Sequence, residues 1–375
     1  MPGLWQFQNP THVVFGPGRL AELKELIAGF RSTRVLLITD PLLSRKLGLA
    51  DRIAGLLQGL PCLAFDEVEP NPTSDTIDRA VRLVRQERID LVIGLGGGSS
   101  LDAAKLVAIL AVHSGAVTDY LGGQLRFERS GLPLVAIPTT AGTGSEVTSV
   151  AVVTNTRDQA KQPISNLWLY PTLALVDPEL TWSMPPRVTA ATGLDALSHA
   201  LEAAWAITAN PASDGLAMEA ARLILGNLER ACLEPDASEA RTNMATASLL
   251  AGLAFSQTRT AAVHAVSFVL TYRYHIDHGV ACALTLAEFA RFNYPAVREK
   301  FDRFLHYWGF RDVDGLADRI DGLKRVLGLP VRLSELGIGP ADLQLIIQES
   351  FHPNIKLNPR PVSEEDLRNI YGNIM

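Results

Sequence analysis

Short, wholly apolar runs separated by amphipathic stretches dominate the first half of the chain. Val35-Leu36-Leu37-Ile38-Thr39 ends at Asp40, and the spacing from Leu42 to Leu57 predicts a helix. Cys62-Leu63-Ala64-Phe65 is a second run, followed by a helix from about Ser74 to Gln86. Leu91-Val92-Ile93-Gly94-Leu95 is a third, followed by a helix over Leu101 to Val112, and Leu134-Val135-Ala136-Ile137-Pro138 is a fourth. Strands without polar alternation, separated by helices, imply a parallel sheet covered on both faces. Leu173-Ala174-Leu175-Val176 is the last convincing strand. Beyond Pro185-Pro186 the helical period prevails, over Val188 to Ala206, Ala212 to Cys232, Ser238 to Ala254 and Val280 to Phe292, with Asn210-Pro211 as a stop and restart. The pattern predicts an α/β N-terminal domain with a parallel sheet over residues 1–182 and an all-α domain over residues 183–375. A length of 375 residues also suits two domains.

Composition narrows the function. Hydrophobic residues make up 47% and charged residues 20%, as in an ordinary globular chain. A net charge of −6 lacks the basic surplus of a nucleic-acid binder. No apolar run approaches the roughly 20 residues of a membrane span, and the N-terminus shows no basic region ahead of an apolar run. The three cysteines, Cys62, Cys232 and Cys282, are odd in number and far apart. A disulfide framework is therefore not expected, and a cytoplasmic location is.

Gly94-Leu95-Gly96-Gly97-Gly98-Ser99-Ser100-Leu101-Asp102 follows a strand and opens a helix. Consecutive glycines let backbone approach a ligand, and the first helical turn offers free N–H groups and the positive end of the dipole to a pyrophosphate. Asp102 lies in that favourable first turn. A ligand-free tight turn is the alternative. Pro138-Thr139-Thr140-Ala141-Gly142-Thr143-Gly144-Ser145 follows the next strand, so two such loops would line the crevice where open α/β sheets bind nucleotides. Asp40 could accept hydrogen bonds from ribose hydroxyls and repel a 2′-phosphate, or could simply cap a helix at Pro41.

Asp195 and His199 stand i, i+4 on one helix face, a geometry for two ligands of one cation. His264, His275 and His278 are three of only eight histidines, and His264 sits in an apolar setting where an imidazole needs a partner. An ordinary hydrogen-bonded core histidine is the alternative for each. One carboxylate with three imidazoles would suit Fe²⁺ or Zn²⁺ and leave a position open for substrate.

Taken together, the motifs resemble the iron-containing alcohol dehydrogenase family. They are Phe15-Gly16-Pro17-Gly18, Pro70-Asn71-Pro72-Thr73, Gly96 to Lys105, Pro138 to Thr148, Asp177-Pro178-Glu179-Leu180-Thr181, Gly193 to His199 and Asn358-Pro359-Arg360-Pro361. The resemblance covers nearly the whole chain. Dehydroquinate synthase and glycerol-1-phosphate dehydrogenase are more distant fold relatives. The resemblance implies a Rossmann-like cofactor domain, a metal-binding helical domain, an active site in a cleft, and a homodimer. It places the metal on Asp195, His199, His264 and His278. It places the dinucleotide against Asp40, Asn71, Gly97, Gly98, Ser99, Thr139, Thr140, Thr148, Lys161 and Leu180, with Asp40 indicating NAD. The reaction so implied is hydride transfer between NAD(H) and a small aldehyde or alcohol. The alternatives are a metal-dependent cyclase or lyase on the same fold, or a family dehydrogenase of the maleylacetate reductase or simple-alcohol kind.

Two positions depart from the family pattern. Phe268 stands where a second histidine usually follows four residues after the one matched by His264, and Asp277 replaces a proline. With no histidine at 268, His275 is the nearest candidate proton donor by sequence. Arg259 and Arg273 lie five residues before His264 and His278. An arginine fork there would suit a carboxylate, phosphate or phosphonate, with Arg259 as anchor. Solvent exposure, or pairing with acids such as Asp277 and Glu288, is the alternative. Thr258 to Thr271 resembles the branch of the family that reduces phosphonoacetaldehyde.

Overall fold

The computed structural model describes residues 4–158, 160–234 and 236–375. Two compact units are present. The α/β unit comprises Asn9–Thr140 and Ser145–Trp182; the helical unit comprises Ser183–Met375 with residues 4–8 and Ala141–Gly144.

Strands β1 (His12–Phe15), β2 (Val35–Ile38), β3 (Cys62–Phe65), β4 (Leu91–Gly96), β5 (Leu134–Pro138) and β8 (Leu173–Val176) form one parallel sheet in the order β1-β8-β5-β4-β2-β3. The strand residues Leu36 and Ile38 join the core on one face of the sheet, and Val35 and Leu37 join the core on the other. That period of two across two buried faces is why β2 reads as an unbroken apolar run. Helices α1 (Ser74–Glu87) and α2 (Gly98–Leu110) cover the first of these faces. The chain runs outward from β2 to β3 and then returns to β4 on the opposite side of β2. The order therefore reverses between β2 and β4, and the carboxyl ends of these two strands frame the crevice where such sheets bind ligands.

Three features of this unit depart from the apolar pattern. β1 does not read as an unbroken apolar run, because it opens on an exposed His12 and buries only Val14 fully. A two-stranded antiparallel hairpin, β6 (Val150–Asn155) with β7 (Ala160–Ser165), carries Lys161, Gln162 and Pro163 on a partly exposed strand. The helix expected over Leu42 to Leu57 is two helices, Leu42–Lys46 and Leu49–Leu56, because Gly48 between them takes a left-handed φ of 65°.

The helical unit contains α3 (Pro186–Trp205), α4 (Pro211–Leu233), α5 (Ser238–Thr258), α6 (Ala262–Arg273), α7 (His278–Trp308) and α8 (Val313–Val326) around one continuous apolar core. Asn210 caps α4 by accepting from Ala212 and Ser213 N–H while Ser213 Oγ accepts from Asn210 N–H, and Pro211 opens the helix. The apolar period of α7 fades at Phe292, yet the helix continues past Pro295 with a kink at Val297. Among the described residues no helix is long and apolar enough to cross a membrane.

Candidate functional site

In the helical unit α3, α6 and α7 bring Asp195, His264 and His278 together. His264 Nε2 lies 3.6 Å and His278 Nε2 3.8 Å from Asp195 Oδ1. These separations are long for hydrogen bonds but close to the ~3.4 Å expected between two donors about 2.1 Å from one tetrahedral ion. The approach of α7 depends on Gly279: a Cβ there would lie 2.0 Å from the Ala191 carbonyl oxygen and 3.1 Å from Asp195 Cβ. His199, one turn beyond Asp195, sets Nδ1 3.9 Å from Oδ2 and stacks between Phe255 and His264, with ring centroids 4.2 and 4.4 Å away.

Two further residues belong to this cluster that the motifs alone do not single out. Glu202 is fully buried; Oε2 accepts a hydrogen bond from His264 Nδ1–H at 2.5 Å and Oε1 accepts from Val263 N–H at 2.6 Å. This fixes the tautomer and turns the Nε2 lone pair of His264 toward Asp195. Its place three residues after His199 on α3 was the available clue. Cys282 lies one turn beyond His278, with Sγ 3.9 Å from His278 Nε2. One donor atom each from Asp195, His264, His278 and Cys282 lie within 4.8 Å of one another, a group that does not include His199.

The cluster fits a cation. Asp195 Oδ1, His199 Nδ1 and His264 Nε2 are buried and have no hydrogen-bond partner among the described residues. Leaving such groups unmet is costly unless something else binds them. Burial opposes ionisation of Asp195, but the imidazoles of His199, His264 and His278 outweigh it and hold the carboxyl well below the usual carboxylate range. Burial pushes His199 down to about 3, leaving a neutral ring with a lone pair to offer.

The remaining candidates of this unit lie around the cluster. His275 is exposed in the turn before α7, with a φ of 52°. Arg259 is exposed at the C-terminal cap of α5 and holds a φ of 62°. Arg273 does not form a fork with it, because its guanidinium is bound by the Glu349 carboxylate. Asp277 and Glu288 pair instead with Arg187 and Arg291. Phe268 packs between rings, 6.3 Å from His278 and 4.6 Å from His352.

In the α/β unit, Asp40 stands two residues beyond β2 and its Oδ1 accepts from Leu42 and Leu43 N–H, so one oxygen caps the following helix. Gly96 takes a φ of 150°, and a Cβ there would fall 2.5 Å from Ser100 Oγ. Gly97 is the N-cap of α2 and gives no side-chain cap, which leaves the first helical N–H groups, at Gly98 and Ser99, available to an anion. Asn71 (φ 57°) donates its N–H to Ser99 Oγ and accepts from Thr154 Oγ1. Thr139 follows β5 with its N–H on Gly96 O, and Thr140 lies 3.4 Å from where a Gly97 Cβ would be. Leu180 is buried in the short helix Pro178–Thr181, capped by Asp177. Lys161 is half-buried on β7, opposite Thr154.

Asp102 and Thr148 have a different setting from the open loop. Asp102 accepts from Ser145 Oγ at 2.6 Å and Val152 N–H at 2.8 Å, meeting both carboxylate oxygens internally. The buried Lys105 ammonium donates to Ser145 Oγ, Thr148 Oγ1 and the Val150 carbonyl, which satisfies its three protons. This network ties the glycine-loop helix to the segment after β5.

Comparison with known proteins agrees with the fold. Residues 10–178 match the iron-containing alcohol dehydrogenase family model, and residues 189–375 match its C-terminal counterpart. The chain is 38% identical to long-chain-alcohol dehydrogenase 1 of Geobacillus thermodenitrificans, over 97% of this chain and 95% of that protein. It is 33% identical to the NAD-dependent methanol dehydrogenase of Bacillus methanolicus, over 98% and 99%. The crystal structure of sulfoacetaldehyde reductase from Bifidobacterium kashiwanohense in complex with NAD+ superposes with a TM-score of 0.96 at 36% identity, covering 99% of both chains. With both halves matched in order, the chain is a member of the iron-containing alcohol dehydrogenase family.

Proposed function

We propose that this protein reduces a short aldehyde bearing an anionic group to the corresponding alcohol, using NADH and one divalent cation. The observation that carries the reading is the buried donor cluster, whose unmet atoms on Asp195, His199 and His264 call for a cation. When bound, the cation supplies Lewis acidity toward a carbonyl oxygen and the nicotinamide supplies the hydride. Asp195, His264 and His278, with His199 beside them, hold the ion. Glu202 keeps His264 in the tautomer that can ligate. The open N–H groups at Gly98 and Ser99 receive the pyrophosphate, and the second oxygen of Asp40 faces the ribose, disfavouring a 2′-phosphate.

The anionic group on the substrate rests on two supports. A relative of nearly identical fold is named for a two-carbon aldehyde carrying a sulfonate, and the segment Thr258 to Thr271 resembles the phosphonoacetaldehyde-reducing branch. Arg259, held in a left-handed backbone conformation five residues before His264, is the proposed anchor. His275 is the proposed proton donor.

The test follows NADH oxidation with sulfoacetaldehyde, phosphonoacetaldehyde and succinic semialdehyde against butanal and propanal. We expect the anionic aldehydes to lead in kcat/KM by roughly tenfold or more, and Arg259→Ala to remove that lead through KM. Equal turnover of the uncharged aldehydes would sink the anionic-substrate reading and leave the dehydrogenase reading in place.

A further inference from the structure

Every residue of α6 from Ala262 to Thr271 is buried except Phe268. His278, whose ring centroid lies 6.3 Å from that of Phe268, keeps 37% of its side chain exposed. The helical unit is therefore open to its surface at Phe268, beside the metal cluster. His352 borders the same opening, half-buried, with its ring centroid 4.6 Å from Phe268. Its Nδ1 accepts the Asn354 N–H at 3.3 Å, which puts the ring proton on Nε2. Burial lowers the pKa of this imidazole and so favours the neutral ring. Among the described residues Nε2–H has no acceptor. The turn that carries His352 is tied to the segment before α6, because Asn354 Nδ2 donates to Thr260 Oγ1 at 2.9 Å and Thr260 follows Arg259. Its far end is fixed as well. Asn358 and Asn293 exchange side-chain hydrogen bonds at 2.7 and 3.0 Å, and the Leu357 carbonyl accepts from Ile207 N–H.

Resting on the anionic-aldehyde reading above, we infer that His352 is a specificity-determining residue: its Nε2–H donates to an oxygen of the substrate's sulfonate, phosphonate or carboxylate group, as a second donor beside Arg259. With the carbonyl oxygen facing the metal cluster, the far end of a two-carbon aldehyde reaches about one side chain's width outward. Phe268 spans that width between His278 and His352. Its ring offers an apolar wall to the methylene between the two polar ends and holds the imidazole by contact. With water excluded from that side, a bond from Nε2–H to an anion is stronger than one in open solvent. Asn354 is a positioning residue, fixing the tautomer of His352 through its N–H and the turn through Thr260.

The experiment follows NADH oxidation by the metal-loaded full chain, unmutated and as His352→Ala and His352→Gln, with sulfoacetaldehyde and phosphonoacetaldehyde against propanal. Loss of a hydrogen bond to a charged group should raise KM for the two anionic aldehydes by roughly tenfold in His352→Ala, far more than for propanal, with kcat changing little. His352→Gln, whose amide N–H reaches close to the place of Nε2–H, should recover most of that loss. An unchanged KM for the anionic aldehydes overturns the inference. An equal loss with propanal, or no recovery in His352→Gln, assigns His352 a packing role and overturns it too. In each of these cases the unmutated enzyme still prefers the anionic aldehydes, and the anionic-substrate reading stands. If the unmutated enzyme shows no such preference, that reading fails and this inference with it. Should His352→Ala not fold, a crystal structure of the unmutated enzyme with 2-hydroxyethylphosphonate decides. Nε2 of His352 within hydrogen-bond distance of a phosphonate oxygen is expected, and a structure without that contact overturns the inference.

Discussion

Glu202 shows how a residue with no direct role toward substrate can govern the site. Its Oε2 accepts a hydrogen bond from His264 Nδ1–H, which keeps a proton on that nitrogen and makes Nε2 the atom available to a cation. In Glu202→Gln the amide can still accept from Val263 N–H, but its NH₂ group then faces Nδ1. The ring must answer by moving its proton to Nε2, where it blocks ligation. Metal affinity should fall by about 10- to 100-fold with the fold intact, as measured by chelator competition and circular dichroism. Unchanged affinity would remove Glu202 from the positioning role. His264→Ala should go further and lose most bound metal by mass spectrometry. A second residue-scale prediction concerns the buried acid beside Lys105. Burial raises the Glu146 carboxyl to about 7 from 4.5 and lowers the Lys105 ammonium to about 8 from 10.5. The contribution of Glu146 to stability is full below pH 4.5 and lost as pH rises through about 7; that of Lys105 is full above pH 10.5 and lost as pH falls through about 8. Glu146→Gln should therefore gain stability at pH 8, on the order of 3 kcal/mol, and little at pH 4.5. Scanning calorimetry giving the same Tm difference at both pH values would exclude Glu146 as the titrating group.

At the scale of elements, the site depends on how closely α7 can approach α3. Gly279 is the contact point, and an alanine methyl would collide with the Ala191 carbonyl. Helix backbones cannot yield locally, so α7 must shift and carry His278 away from Asp195. Gly279→Ala should cost about 1–3 kcal/mol and lower zinc content well below one per chain. Full metal content in that variant would show that the helix pair can relax. Strands buried on both faces were legible as continuous apolar runs, and the helical unit as a change of period after Pro185-Pro186. What stayed hidden had weak local signals. β1 opens on an exposed histidine and buries only Val14 fully, β7 is half polar, and the break at Gly48 depends on a backbone angle that the apolar period does not record. In the site, Asp195 and His199 were readable because i, i+4 spacing is local. Cys282 stands at the same spacing from His278, but a cysteine in an apolar helix also reads as core. Glu202 acquires its meaning only when α6 arrives beside α3. The arginine fork failed because Glu349, distant in sequence, takes Arg273.

At the scale of the whole molecule, the candidate residues divide between two units that have separate cores. The dinucleotide candidates from Asp40 to Leu180 belong to the α/β unit, and Asp195, His199, His264 and His278 to the helical unit. Each ligand should therefore leave its own protection footprint, because ordering a binding site suppresses local opening of the elements that form it. Hydrogen exchange followed by mass spectrometry tests this with the full chain. Zn²⁺ alone should slow exchange in peptides covering α3 around Asp195–Glu202, the start of α6 and the start of α7. NAD⁺ alone should slow exchange in the loop around Gly96–Leu101, around Asn71, and in the segment after β5. The glycine-loop amides carry particular weight, since α2 has no side-chain cap and its first N–H groups are free to exchange until an anion covers them. If NAD⁺ protects only helical-unit peptides, or Zn²⁺ only the glycine loop, the assignment of residues to the two ligands is wrong.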